Sequence, residues 1–138
     1  MKTKFNIPLL LCLFMACTQN NVGTSQTPDN YKSIAKSKLG DDAKFNLSPE
    51  ESYVLCLKET KGSVNQPQNH IKFFVYDLNS KLVVYENAID NATVKWHSDD
   101  QLEIYRIPGI MKEGTSADDY TKIYDVKTGK SVAKSQLK

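Results

Sequence analysis

Two stretches of this chain repeat one another at a spacing of 48 to 50 residues, and that repetition restricts the architecture more than any single segment does. In the first unit Phe45-Asn46-Leu47-Ser48-Pro49-Glu50-Glu51-Ser52-Tyr53-Val54-Leu55 is followed by Phe73-Phe74-Val75-Tyr76-Asp77-Leu78-Asn79-Ser80-Lys81-Leu82-Val83. In the second, Val94-Lys95-Trp96-His97-Ser98-Asp99-Asp100-Gln101-Leu102-Glu103-Ile104 is followed by Ile123-Tyr124-Asp125-Val126-Lys127-Thr128-Gly129-Lys130-Ser131-Val132. Each unit reads as strand, tight turn, strand, longer loop, a strand ending in Tyr-Asp, a turn, and a last strand beginning at lysine. Asp77 and Asp125 are placed to accept hydrogen bonds from the turn backbone, and Gly129 offers the positive φ that closes such a turn. The first turn, from Asp77 to Lys81, reads as one residue shorter, with Asn79 or Ser80 in place of the glycine.

β-Branched and aromatic residues concentrate in short runs after Lys44, which predicts strands at Lys44 to Leu47, Tyr53 to Glu59, Ile71 to Asp77, Lys81 to Asn87, Thr93 to His97, Gln101 to Ile107, Tyr120 to Val126 and Lys130 to Ala133. The fold class is therefore mainly β: about eight short antiparallel strands in two four-stranded units, 44–87 and 93–133. Each unit resembles a blade of a β-propeller, a family in which Ser-Pro-acid turns precede an apolar strand and Asp-x-x-Thr-Gly-Lys turns join the outer strands. Two blades are too few to close a propeller, which typically needs at least about four. Either the strands form their own small barrel or sandwich, or exposed edges pair between chains. A self-contained domain is the preferred reading, because a helix precedes the strands and can cover an open face.

That helix is expected from Thr27-Pro28-Asp29 as cap and first turn, through Tyr31, Ile34, Ala35 and Leu39 on one face, to a stop at Gly40. One segment reads two ways. Ser48-Pro49-Glu50-Glu51 has capping-box spacing, so Pro49 to Lys61 could be helical. The five consecutive apolar residues Tyr53 to Leu57 fit a buried strand better.

At 138 residues with 25% charged and 40% hydrophobic positions, the body is one ordinary domain. Such a chain buries roughly two thirds of its unfolded surface without metal or disulfide staples. No run of 18 or more apolar residues follows the first 20 positions, which excludes a conventional membrane-spanning helix in the body.

The front of the chain carries an address. Lys2 and Lys4 precede the short apolar run Ile7 to Ala16, which ends at Ala16-Cys17 and gives way to polar Thr18-Gln19-Asn20-Asn21. Leu13, Ala16 and Cys17 resemble the lipobox of bacterial lipoproteins, with Phe14 bulkier than usual. The resemblance implies a signal peptide at 1–16, cleavage before Cys17, lipidation of Cys17, a tether at 17–30 and the single β domain at 31–138. It also implies a bacterial cell-envelope location, lipid-anchored and periplasmic or surface-facing. A plain signal peptide cut elsewhere and an uncleaved anchor are the alternatives. The chain has 18 Lys and Arg against 16 Asp and Glu, and cleavage would remove Lys2 and Lys4, leaving a neutral domain. Without a basic run, neither nucleic acid nor an electrostatic membrane patch is an expected partner. The expected partners are the membrane, through the lipid, an envelope protein, and a second copy of the chain.

Catalytic chemistry has little material. Cys12 leaves with the signal and Cys17 is the lipid site, so Cys56 is a lone thiol inside an apolar run and is expected to be buried. His70 and His97 lie in no motif, and the acidic pairs Asp41-Asp42, Asp99-Asp100 and Asp118-Asp119 match no EF-hand or zinc spacing. No catalytic residue, metal or cofactor is expected. Trp96 is expected in the core. The loops Gly62 to Asn69, with Ser63, Asn65 and Gln68, and Ile110 to Asp119, with Met111, Lys112 and Glu113, are the expected partner-contact surfaces. The sequence thus points to a non-enzymatic binding or scaffolding lipoprotein of the envelope. The alternative is a small periplasmic inhibitor of a hydrolase acting through a loop.

Overall fold

The burial pattern differs between the two repeats, and the difference dictates how they stack. In the first unit Tyr53 to Leu57 and Phe73 to Tyr76 are buried without interruption, the mark of strands covered on both faces. In the second, Ala92, Val94, Leu102 and Ile104 alternate with exposed or half-buried neighbours, so one face carries the core.

The computed structural model describes residues 30–137. The signal peptide, Cys17, the tether and the expected cap at Thr27-Pro28-Asp29 lie outside the described residues. A helix, α1 (Asn30–Leu39), is followed by β1 (Lys44–Leu47), β2 (Tyr53–Thr60), β3 (His70–Asp77), β4 (Leu82–Asp90), β5 (Ala92–Trp96), β6 (Gln101–Arg106), β7 (Thr121–Asp125) and β8 (Ser131–Ala133). Short 3-10 turns occupy Ala117–Tyr120 and Lys134–Leu137. The strands form two antiparallel four-stranded sheets ordered β1-β2-β3-β4 and β5-β6-β7-β8, as the repeat predicts. Pro49 to Lys61 is not helical, since β2 occupies most of it.

Tyr53, Leu55, Leu57, Ile71, Phe73 and Val75 of the first sheet meet Ala92, Val94, Leu102 and Ile104 of the second in one core, with Tyr85 and Tyr124 stacked at its margin, 3.9 Å between ring centroids. On the other face of the first sheet, Val54, Cys56, Phe74 and Tyr76 pack against Ala35 and Leu39 of α1. A helix of 10 residues is marginal alone in water, so docking on this face holds it. Gly40 ends it at φ +90°, its N–H shared between the carbonyls of Ala35 and Lys36.

The strand registers of the two sheets correspond position by position, with one adjustment. Leu47 pairs with Val54 and Trp96 with Leu102, while Tyr53 pairs with Asp77 and Gln101 with Asp125. The first turn of the first unit is therefore one residue longer, and Glu51 within it takes a positive φ of 56°. Across β2 and β6, Leu55 is equivalent to Glu103, not to Ile104 as the sequence similarity suggests. The Asp77 and Asp125 turns are of equal length, not one residue apart. Asp77 Oδ1 accepts from the N–H groups of Asn79 and Ser80, and Asp125 Oδ1 from those of Lys127 and Thr128. Neither Asn79 nor Ser80 replaces the glycine: Lys81, at φ 59°, stands where Gly129 stands at φ 69°.

Candidate functional site

Strand direction sorts the connections to two ends. The β1–β2, β3–β4, β5–β6 and β7–β8 turns share one end, and the β2–β3 and β6–β7 loops emerge from equivalent places at the other. The turn end is stapled. Ser48 Oγ donates to Asp99 Oδ1 at 2.6 Å and accepts from the N–H groups of Ser52 and Tyr53, while Glu50 N–H donates to the same carboxylate oxygen. The Ser48 hydroxyl's hydrogen bond leads the interactions that hold Asp99 below the usual carboxylate range. Asp100 is held low first by Lys127, at 3.0 Å, and then by Ser98. Trp96 Nε1 donates to the Asn46 carbonyl, tying β5 to β1. The Asp99-Asp100 pair is thus structural, and among the described residues no three His, Cys, Asp or Glu side chains converge as metal ligands.

The loop end is less committed. The Gly62 to Asn69 loop turns tightly where Ser63 and Gln66 exchange backbone hydrogen bonds, leaving Val64 and Asn65 at the tip. A side chain at Gly62 would meet the Pro67 carbonyl oxygen at 2.3 Å, so glycine is required there by proximity. In the second loop Lys112 N–H donates to the Tyr120 hydroxyl and Thr115 Oγ1 to the Lys112 carbonyl, while Met111 and Glu113 face solvent. Asn91, at φ 50°, joins the sheets there: its N–H donates to the Asn69 carbonyl and its own carbonyl accepts from Ile107. Gln68 of the first loop lines a hollow with Asn91, Arg106 and Tyr120.

Two concave regions flank this end. One, about 670 Å³, lies past the C-terminus of α1, with Lys58 paired across the sheet to Lys72, His70 held by Asp90 at 2.5 Å, and the Asn65 to Gln68 segment as one wall. The other, about 610 Å³, opens between β4 of the first sheet and β6 to β8 of the second. Its floor is Tyr85, Ile89, Ile104, Tyr124 and Ala133, and Arg106 and Lys122 project from the same face of the second sheet.

The loop residues Ser63, Asn65, Gln68, Met111, Lys112 and Glu113 thus sit on one end of the molecule. Reading the sequence missed Arg106 and Lys122, because matching Leu55 to Ile104 hides which face of the second sheet looks inward. The alternation Lys122, Tyr124 against Thr121, Ile123 was the available signal. Among the described residues Cys56, His70 and His97 lie apart from one another. Cys56 lies wholly buried under α1, where desolvation pushes its thiol up to about 12. His70 is at the loop end, whereas His97 follows β5 at the turn end, its Nδ1 3.6 Å from Glu103. Among the described residues no helix is long and apolar enough to cross a membrane. Comparison with known proteins finds no matching family model, and no curated protein or solved structure matches the chain.

Proposed function

We propose that this chain is a bacterial envelope lipoprotein, acylated at Cys17, whose β domain acts without catalysis as a binding or scaffolding module with its loop end directed away from the membrane. One observation supports that orientation. The chain enters the described fold at the turn end, where the Tyr31 ring lies 5.5 Å from Phe45 and 5.9 Å from Tyr76. From there the eight residues of β2, at about 3.3 Å each, set the loop end roughly 25 Å further out. A lipid on Cys17 leaves that end free to meet a partner.

The test places a photo-crosslinking residue at Asn65 or Glu113, and for comparison at Lys127, in cells expressing the full chain, with palmitate incorporation followed in parallel. The expected result is one discrete adduct shared by Asn65 and Glu113, none from Lys127, and acylation lost in Cys17→Ser. Equal adducts from both ends, or acylation independent of Cys17, overturn the reading.

A second reading, inhibition of a hydrolase, is favoured by the apolar tips. Val64 is fully exposed and Ile110 is 87% exposed, each in one of the two loops at the same end of the molecule. It predicts a one-to-one complex lost in Val64→Ser or Ile110→Ser.

A further inference from the structure

The cleft between the two sheets carries a charge pattern that folding does not explain. Register makes Lys122 the counterpart of Phe74, and Arg106 the counterpart of Lys58. In the first sheet Phe74 is 1% exposed and packs under α1. In the second, a lysine stands at that position on the face that otherwise builds the inter-sheet core.

Neither cation has an ion-pair or hydrogen-bond partner among the described side chains. The two carboxylates lining the same cleft are engaged elsewhere: Asp90 with His70 Nδ1, and Asp119 with the N–H and hydroxyl of Ser116. Lys122 sits opposite Ile104, and Arg106 is two residues further along β6 on the same face. Such diagonal neighbours have backbones about 7–8 Å apart, so the ammonium and guanidinium can both reach one anionic group. Beside them lies an apolar surface with an aromatic wall, the stacked Tyr85 and Tyr124. Tyr120 lines the cleft as well, its hydroxyl anchored to the Ile110 to Asp119 loop through Lys112 and Thr115.

We propose that this inter-sheet cleft is a binding site for a small amphipathic anion, a single phosphate or carboxylate held by Arg106 and Lys122, with a flat or branched apolar body against Tyr85, Tyr124 and Ile104. The volume, about 610 Å³, lies within the range of small-molecule sites, roughly 300–1,000 Å³. Arg106 supplies the planar fork that matches an oxyanion, and Lys122 a point charge beside it. This site is independent of the lipid on Cys17 and of the loop tips.

The test is isothermal titration calorimetry of the full chain in phosphatidylcholine nanodiscs, against empty nanodiscs, with 1-naphthyl phosphate, 2-naphthoate and the neutral 2-naphthamide. At least one anion is expected to bind tenfold or more tighter than the amide, and the tighter of the two identifies the head group. Arg106→Gln with Lys122→Gln is expected to abolish that preference while Lys130→Gln leaves it intact. The melting temperature of the double variant is expected to hold or rise, since two unpaired like charges are removed. Equal binding of the amide, an undiminished preference in the double variant, or no binding of any probe overturns the site. So does a fall of more than about 5 °C in the double variant's melting temperature, which would make the cations structural.

Discussion

Replacing Ser48 by alanine is expected to cost about 2–3 kcal/mol, because the hydroxyl of this buried residue makes three hydrogen bonds at once. Its donation to Asp99 is charge-assisted, and its acceptance from Ser52 and Tyr53 satisfies backbone groups beside a buried strand start. Asp99→Asn keeps an acceptor for Ser48 and Glu50 and is expected to cost about 1 kcal/mol. The double variant should cost less than the two together, with a coupling near 1 kcal/mol at neutral pH. The pH dependence carries a definite sign. Asp99 lies below its ordinary value of 3.8 in the folded state, chiefly through the Ser48 hydroxyl. A carboxylate depressed on folding contributes stability above its unfolded value and loses it as pH falls through the folded one. The difference between the wild-type chain and Asp99→Asn should therefore be level from neutrality to about pH 5 and shrink below about pH 4. Urea unfolding monitors this through Trp96, the single tryptophan, whose ring donates to Asn46 beside the staple. A Ser48→Ala cost under about 0.5 kcal/mol, or a coupling that does not change on acidification, refutes the reasoning.

Lys81→Gly should stabilise the chain by roughly 0.5–1 kcal/mol in thermal unfolding, since a lysine at φ 59° occupies the left-handed region. Gly129→Ala should cost about 1 kcal/mol; a side chain there meets only the Tyr124 hydroxyl at 3.8 Å, so the loss measures backbone strain. Cys56, buried and with its thiol raised to about 12, should escape alkylation in the native chain and react on unfolding, read by site-resolved mass spectrometry. Glu103→Gln should destabilise at neutral pH and converge on the wild-type chain in acid. Burial raises this carboxyl, but hydrogen bonds from Lys134 and Lys95 outweigh burial and hold it below 4.5, so its contribution is lost as pH falls through that lowered value.

Strand positions were legible because each run is bounded by turn chemistry that leaves little choice, as with the Asp77 and Asp125 turns. Register was not. Apolar-to-apolar matching pairs Leu55 with Ile104, yet Leu55 faces the second sheet and Glu103, its true counterpart, faces away from the first. The extra residue at Glu51 shifts the similarity by one position after the first strand, and in a strand one position exchanges the faces. The two loops were legible as surface segments because their composition marks them so. Arg106 and Lys122 were not, because an inward-facing cation on a strand is visible only once the inward face is known. Tyr53 to Leu57 read correctly for a reason that periodicity cannot supply: an uninterrupted apolar run signals cover on both faces, and α1 is the second cover.

The same register explains how the two four-stranded sheets stack on one another. Each sheet of such a stack has one face toward the preceding sheet and one toward the next. On the first sheet the preceding place is taken by α1, which buries Val54, Cys56, Phe74 and Tyr76. On the second sheet the face turned away from the first carries Gln101, Glu103, Tyr105, Thr121 and Ile123 where the first has Tyr53, Leu55, Leu57, Phe73 and Val75. An apolar surface has become a largely polar one. Glu103 gathers Lys95 at 3.1 Å, Lys134 at 2.9 Å and His97 at 3.6 Å, and Thr121 Oγ1 donates to the Ala117 carbonyl. Lys134 opens the 3-10 turn Lys134–Leu137, so the same ion pair that neutralises Glu103 holds that turn against the sheet. A third sheet stacked here would have to strip water from that cluster, and desolvating charges in this way costs several kcal/mol per ion. Among the described residues the two-sheet stack is thus bounded by a helix on one side and by charge on the other, and the cavity between β4 and β6 to β8 lies at its margin.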